Sequence, residues 1–161
     1  MITRFNADEI LEMAQEIERN GADFYRKAAN IVSDQSSQKT LAELAEMEDE
    51  HEQTFVGMRN ELTVKEREPV SFDPDNELSL YLRAMADKNV FDTTVKPDAL
   101  LAGKSMDEIL RTAIGMEKDS IVFYLGLREL VPERLGKGRL DDIIAEEYSH
   151  ITILTAKIKG K

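Results

Sequence analysis

Two copies of one short pattern place a carboxylate and an imidazole three residues apart in this chain. Glu48 stands three residues before His51, and Glu147 stands three before His150, 99 positions further along. Positions i and i+3 share one face of a helix, so each pair could bind one metal ion. A single such pair is more often a solvated helix face. Here the two copies use both histidines of the protein, which favours a duplicated metal site.

The repeat extends upstream of both patterns. Glu18 and Glu117 each lie thirty residues before the glutamate of the nearer pattern, and a tyrosine follows each of them by seven residues, at Tyr25 and Tyr124. A repeat of this kind is typical of a duplicated structural unit, here a helical hairpin. The alternative is a pair of duplicated hairpins whose shared seam is merely polar and holds no metal.

Apolar residues recur at helical spacing through four long segments. The predicted helices run from Asn6 to about Ile31, from Ser36 to about Arg67, from Ser105 to about Leu130, and from a start between Pro132 and Leu140 nearly to the end. Asn6 and Ser105 each precede a glutamate by three residues, as in a capping box. Gly136 and Gly138 are expected to loosen the connection before the fourth helix.

The spacing brings the repeated residues together. If the hairpins turn near Asp34 and Glu133, each upstream glutamate lies 16 residues before its turn and each downstream one lies 14 after it. At about 1.5 Å per residue, both lie roughly 21–24 Å from the turn, so antiparallel packing brings them level. The predicted ligands, four carboxylates and two imidazoles, are Glu18, Glu48, His51, Glu117, Glu147 and His150. Oxygen and imidazole donors without thiolates favour two iron ions, or manganese, over structural zinc.

The connections between these helices predict their topology. Each hairpin closes with a short turn, whereas residues 68–104 join one hairpin to the other. A 30-residue helix is about 45 Å long, and this link can travel that length. The sequence thus predicts one all-α domain over 1–161, with hairpins at about 6–67 and 105–159 and a crossover at 68–104. We expect a short amphipathic helix from Asn76 to about Val90 in the crossover, and one more turn at 97–101.

Composition narrows the function classes. The chain has no cysteine, which excludes disulfides, zinc–thiolate sites and iron–sulfur clusters. Its formal charge of −11 argues against nucleic acid or an anionic membrane as partner. No apolar run reaches the length of a membrane span, and the chain does not start with a basic then apolar leader. We therefore expect a cytoplasmic protein.

These motifs resemble the ferritin-like superfamily, and most closely its rubrerythrin-like branch. The matching patterns are Glu18-x6-Tyr25, Glu48-x2-His51, Glu117-x6-Tyr124 and Glu147-x2-His150, which together span nearly the whole chain. The resemblance implies a ferritin-like four-helix bundle with a di-iron carboxylate site. Two departures stand out. Rubrerythrins proper carry a rubredoxin domain with four cysteines, whereas this chain has none, and they have a further glutamate where this chain has Ser120. The resemblance therefore does not by itself imply peroxidase activity of the rubrerythrin kind.

The resemblance leaves three function classes open. The first is a di-iron oxidoreductase of ferroxidase or peroxidase type that uses O2 or hydrogen peroxide and an external electron donor protein, in oxidative-stress defence or iron handling. In it, Tyr25 and Tyr124 orient carboxylates or supply an electron; the alternative is that they are core aromatics with satisfied hydroxyl groups. The second class is a ferritin-type storage subunit, and the third is a binding protein stapled by metal. We expect a homo-oligomer, with a dimer favoured.

Glu146 and Glu147 both precede His150 closely enough to share a metal with it. The repeat separates them, because the residue four before His51 is Met47, whereas the residue three before it is a glutamate. A pseudo-twofold site needs equivalent positions. The sequence therefore predicts that Glu147 is the ligand and that Glu146 is not.

Overall fold

The computed structural model of the protein describes residues 6–68, 80, 81, 84 and 95–160, in which short turns join the helices and there is no β-strand. Within those residues there are five α-helices, which we name α1 to α5 in chain order. They are α1 (Ala7–Ile31), α2 (Gln35–Asn60), α3 (Pro97–Leu101), α4 (Met106–Leu130) and α5 (Glu133–Lys159), and a 3-10 turn at Lys65–Arg67 follows α2. None of the described helices combines the length and the hydropathy needed to cross a membrane.

Local hydrogen bonds fix where three of the long helices begin. The Asn6 side chain accepts from the backbone N–H of Glu9 while the Glu9 side chain accepts from that of Asn6. Ser105 forms the same reciprocal capping box ahead of α4, as its sequence predicted. Asp34 caps α2 by accepting from the backbone N–H of Ser37 at 2.8 Å. Each cap satisfies backbone donors that have no partner within the helix.

Two details of the predicted helices are wrong. The second helix ends at Asn60 and does not reach Arg67, because Thr63 and Glu66 form a reciprocal cap that starts a separate 3-10 turn. Gly136 and Gly138 lie inside α5 and do not loosen the connection before it. At Gly136 a Cβ atom would collide with the side chain of Met58, so this glycine permits close packing of α5 on α2.

Two apolar clusters occupy opposite ends of the bundle. The lower cluster joins the start of α1, the end of α2, the end of α4 and the start of α5, and includes Ile10, Leu11, Phe55, Met58, Leu127 and Leu135. The upper cluster joins the other four helix ends and includes Phe24, Leu41, Leu44, Ile109, Leu110 and Leu154. The chain leaves α2 at the lower end and enters α4 at the upper end, so the link between them must travel the length of the bundle.

This path confirms the predicted all-α, single-crossover four-helix bundle. The predicted turn at 97–101 is α3, which packs against α1 and α4. The amphipathic helix expected from Asn76 to about Val90 lies largely outside the described residues. Of that segment the structure places residues 80, 81 and 84, all in helical conformation.

Candidate metal centre

Four carboxylates and two imidazoles meet in the middle of the bundle, between the lower and upper clusters. All six residues are at most 4 % exposed. They come from α1 (Glu18), α2 (Glu48 and His51), α4 (Glu117) and α5 (Glu147 and His150). Each lies on the buried stripe of its helix, and the equal spacing within the two hairpins brings all six level. The structure thus gathers every residue that the sequence predicted as a ligand.

The six residues form two overlapping groups, each able to surround one cation. The first group contains Glu18, Glu48, His51 and Glu147, and the second contains Glu48, Glu117, Glu147 and His150. Within each group, one ligand atom per residue lies within 4.8 Å of the others. Glu48 and Glu147 belong to both groups, so these two carboxylates can bridge. The remaining members can each bind at only one position.

Both histidines turn the same ring nitrogen inward. Nδ1 of His51 lies 3.1 Å from Oε1 of Glu147 and 3.4 Å from Oε2 of Glu18. Nδ1 of His150 lies 3.2 Å from carboxylate oxygens of both Glu48 and Glu147. The two rings are nearly parallel, with centroids 5.8 Å apart. Each Nδ1 atom can therefore donate its lone pair to one metal position.

The inner atoms of this cluster lie close together without forming hydrogen bonds. Among the described residues, hydrogen-bond partners are absent for Nδ1 of either histidine, for Oε2 of Glu18, for Oε1 of Glu48 and for both oxygens of Glu147. Buried polar atoms are rarely left unsatisfied, since each costs about 1–3 kcal/mol. Atoms aimed at a shared space match the needs of a cation. Four carboxylates also balance the charge of two divalent ions, so the donor set fits a di-metal site.

Each tyrosine of the repeat donates a hydrogen bond to a glutamate of the opposite hairpin. The Tyr25 hydroxyl, on α1, donates to Oε1 of Glu117 on α4. The Tyr124 hydroxyl, on α4, donates to Oε1 of Glu18 on α1. Both tyrosines are buried, so these bonds hold the carboxylates that belong to only one group. The sequence spacing predicted tyrosines beside the site, but it could not show that they cross between hairpins.

Burial and mutual contact shift the ionisation of the cluster. Burial raises the pKa of Glu18 and of Glu48, and it raises the pKa of Glu117 to about 8. Burial alone would lower the pKa of the imidazoles, but the facing carboxylates raise it to about 11 at His51 and about 12 at His150. Burial would raise the pKa of Glu147 too, yet its contacts with Glu117 and both histidines lower it. Without metal, the cluster therefore holds more protons near neutral pH than the same groups would at their ordinary pKa values.

Glu146 occupies a place that the sequence did not predict. It is absent from both groups of potential ligands. Its Oε2 atom lies 2.5 Å from Nε2 of His51, on the side of the ring that faces away from the cluster. The signal available in the sequence was the position of Glu146 one turn before His150, because that side of α5 faces α2. Sequence reasoning considered Glu146 only as a rival ligand and missed this contact.

Gly21 leaves the room that the Glu48 carboxylate occupies. A Cβ atom at Gly21 would lie 3.3 Å from Oε2 of Glu48, which is tight enough to displace it. We expect Gly21→Ala to weaken metal binding about tenfold. Gly57→Ala is the matched control, because no atom of the described residues lies within 4 Å of its added Cβ. It should raise stability by about 0.5–1 kcal/mol without changing metal affinity. Calorimetric titration measures the metal affinity, and thermal melts measure the stability. Equal metal affinities in the two variants would contradict the prediction.

Comparison with known proteins gives one family match and one fold match. A family model described as rubrerythrin matches residues 9–158. The fold is similar to the 2.30 Å crystal structure of a Thermotoga maritima protein provisionally described as a ferritin-like diiron-carboxylate protein. That match has a TM-score of 0.74 and 23 % identity, and it covers 97 % of this chain and 96 % of the other. No curated protein matches the chain significantly.

Proposed function

Because the chain belongs to the rubrerythrin family, we propose that it is a di-iron carboxylate oxidoreductase that oxidises Fe(II) at the buried cluster. O2 or hydrogen peroxide is the proposed acceptor, and oxidative-stress defence or iron handling is the proposed role. The observation that carries the proposal is the pair of overlapping ligand groups that share Glu48 and Glu147. Carboxylates common to two positions would hold two cations and let them act together.

The chemistry of the ligands supports iron at both positions. Carboxylate oxygens and imidazole nitrogens suit iron and manganese, and the chain has no cysteine to favour softer metals. Two bound ferrous ions would supply a pair of electrons to an oxidant. Glu18 and His51 would hold one of them, and Glu117 and His150 the other. The tyrosines would fix the orientation of the carboxylates, and the two apolar clusters would limit access of bulk water.

Ser120 bears on which oxidant is used. Its side chain lies one turn after Glu117 on α4 and is buried, and its hydroxyl donates to the backbone oxygen of Met116 at 3.0 Å. The position thus offers a hydroxyl that is already engaged and no carboxylate. Rubrerythrins have a glutamate in the equivalent place, so a preference for peroxide cannot be carried over from them to this chain. We therefore propose both O2 and hydrogen peroxide as acceptors.

Rapid mixing tests the proposed reaction. The protein is loaded anaerobically with Fe(II), and its iron content is measured first. We expect close to two iron ions per chain, and oxidation of both when either O2 or hydrogen peroxide is added, followed optically. The faster reaction identifies the preferred acceptor. Absence of bound iron after loading, or bound Fe(II) that reacts with neither oxidant, would contradict the proposed function.

We also propose that the protein takes electrons from an external donor protein and forms a homodimer. The metal-binding residues include no redox group besides the metals that they would hold. Repeated turnover therefore needs electrons from another protein. Steady peroxide or O2 consumption with an added reductant tests this requirement. The mass of the protein in solution tests the assembly. A shell of many subunits would support iron storage in place of the proposed oxidoreductase.

A further inference from the structure

The two histidines of the cluster differ in what their outer nitrogens contact. Nε2 of His51 lies 2.5 Å from Oε2 of Glu146, whose side chain is 50 % exposed. Nε2 of His150 has no hydrogen-bond partner within the described part of the chain, although this residue is completely buried. The inner sides of the two rings match each other closely. The two histidines therefore differ in the contacts of Nε2, the ring nitrogen that faces away from the metal positions.

The repeat explains why only one histidine has this partner. Glu146 stands four residues before His150 and reaches across to the histidine of the other hairpin. The equivalent residue, four before His51, is Met47. Its side chain is partly buried and packs against the upper cluster. A thioether is a weak acceptor, so the first hairpin offers no carboxylate to His150.

A carboxylate behind a metal-binding histidine changes how well that histidine binds. It holds the proton on Nε2, which leaves the Nδ1 lone pair free for the metal, and it fixes the ring and increases its basicity. Removal of such a partner typically weakens metal binding 10–100-fold. No described residue gives His150 this support, so its buried outer N–H would stay unsatisfied among them when the ring binds a metal.

From this asymmetry we infer that the two metal positions are inequivalent and fill in order. The position bounded by Glu18 and His51 binds its divalent cation about 10–100-fold more tightly than the position bounded by Glu117 and His150. Glu146 is the positioning residue that creates the difference. This inference rests on the di-metal site of the proposed function and adds an order of binding to it.

Anaerobic calorimetric titration of the metal-free protein with Fe(II) tests the order. The wild-type protein should bind two ions in two resolved steps. Glu146→Gln should weaken the tighter step 10–100-fold and bring the two steps together. Met47→Glu should strengthen the weaker step, and Met47→Gln, which is uncharged, should strengthen it less. Circular dichroism checks that each variant remains helical.

Asp142→Asn is the matched control for the loss of negative charge. Asp142 is exposed on α5, one turn before Glu146, and belongs to neither ligand group. If Asp142→Asn lowers the affinity as much as Glu146→Gln does, the effect is general electrostatics and the inference fails. Two equal steps in the wild type, unchanged by Glu146→Gln, would overturn the inference alone. Absence of Fe(II) binding in the wild type would overturn the proposed function itself.

Discussion

Glu147→Gln is expected to leave the protein folded but to abolish the paired metal centre. Glu147 is one of two carboxylates that belong to both ligand groups, and a neutral amide binds a hard cation far more weakly than a carboxylate does. Both positions lose a ligand at once, so iron content should fall well below two per chain. The absorption of the coupled ferric pair should disappear. Helix content should persist, because the lower and upper clusters do not depend on the metal.

Glu146→Gln is the control for this experiment. The residues are adjacent on α5, but Glu146 contacts the outer nitrogen of His51 and belongs to neither ligand group among the described residues. At saturating iron, this variant should still hold two ions and keep most of the absorption. The reverse result, in which Glu146→Gln loses the pair and Glu147→Gln keeps it, would mean that Glu147 is not the counterpart of Glu48 as a ligand. Loss of helical circular dichroism in Glu147→Gln would mean that the metal supports the fold itself.

Metal-free protein is expected to lose stability as the pH rises from about 5.5 to 8.5. Burial raises the pKa of Glu18, Glu48 and Glu117 above ordinary values, in the last case to about 8. A raised pKa gives stability that is complete below the unfolded value and is lost as the pH approaches the folded value. The pKa values of His51 and His150, raised to about 11 and about 12, act in the same direction above pH ~6.5. The lowered pKa of Glu147 has its effect at more acidic pH.

The metal-loaded protein should respond differently to the same change in pH. Bound cations need deprotonated ligands, so metal binding strengthens as protons leave. Each proton held only by the folded metal-free state is worth about 1.4 kcal/mol per pH unit, or about 3–6 °C in Tm. The Tm difference between loaded and metal-free protein should therefore widen from pH ~5.5 to ~8.5. Glu117→Gln should flatten the dependence of Tm on pH in the metal-free protein. Parallel curves of Tm against pH for the loaded and metal-free wild type would contradict the prediction.

The sequence determined the fold class and the composition of the cluster. Two Glu-x-x-His patterns and two upstream glutamates, all at fixed offsets in a 99-residue repeat, placed six ionisable groups on helix faces that were otherwise apolar. Such groups are tolerated in a core only when they are paired or metal-bound. The chain lengths on either side of each turn then required the six to lie level. Helical periodicity and chain length carry this information, and both are local properties.

Helix ends were determined by the sequence only in part. The caps at Asn6 and Ser105 rest on interactions between residues three apart, which a sequence displays directly. The end of the second helix at Asn60 was missed because apolar spacing continued past it. The expectation that Gly136 loosens the connection is wrong because the role of this glycine depends on a contact with Met58, which lies on another helix. Only packing distinguishes a glycine that breaks a helix from one that admits a neighbouring side chain.

The tertiary structure alone decided how the cluster is connected. Periodicity gives the face of a helix but not the neighbour across from it. Glu48 and Glu147 are common to both ligand groups because their helices, α2 and α5, bring these carboxylates within reach of both positions. The crossed bonds from Tyr25 and Tyr124, and the contact of Glu146 with His51, also join opposite hairpins. These contacts depend on how the hairpins dock, which is a property of side-chain packing between segments far apart in the chain.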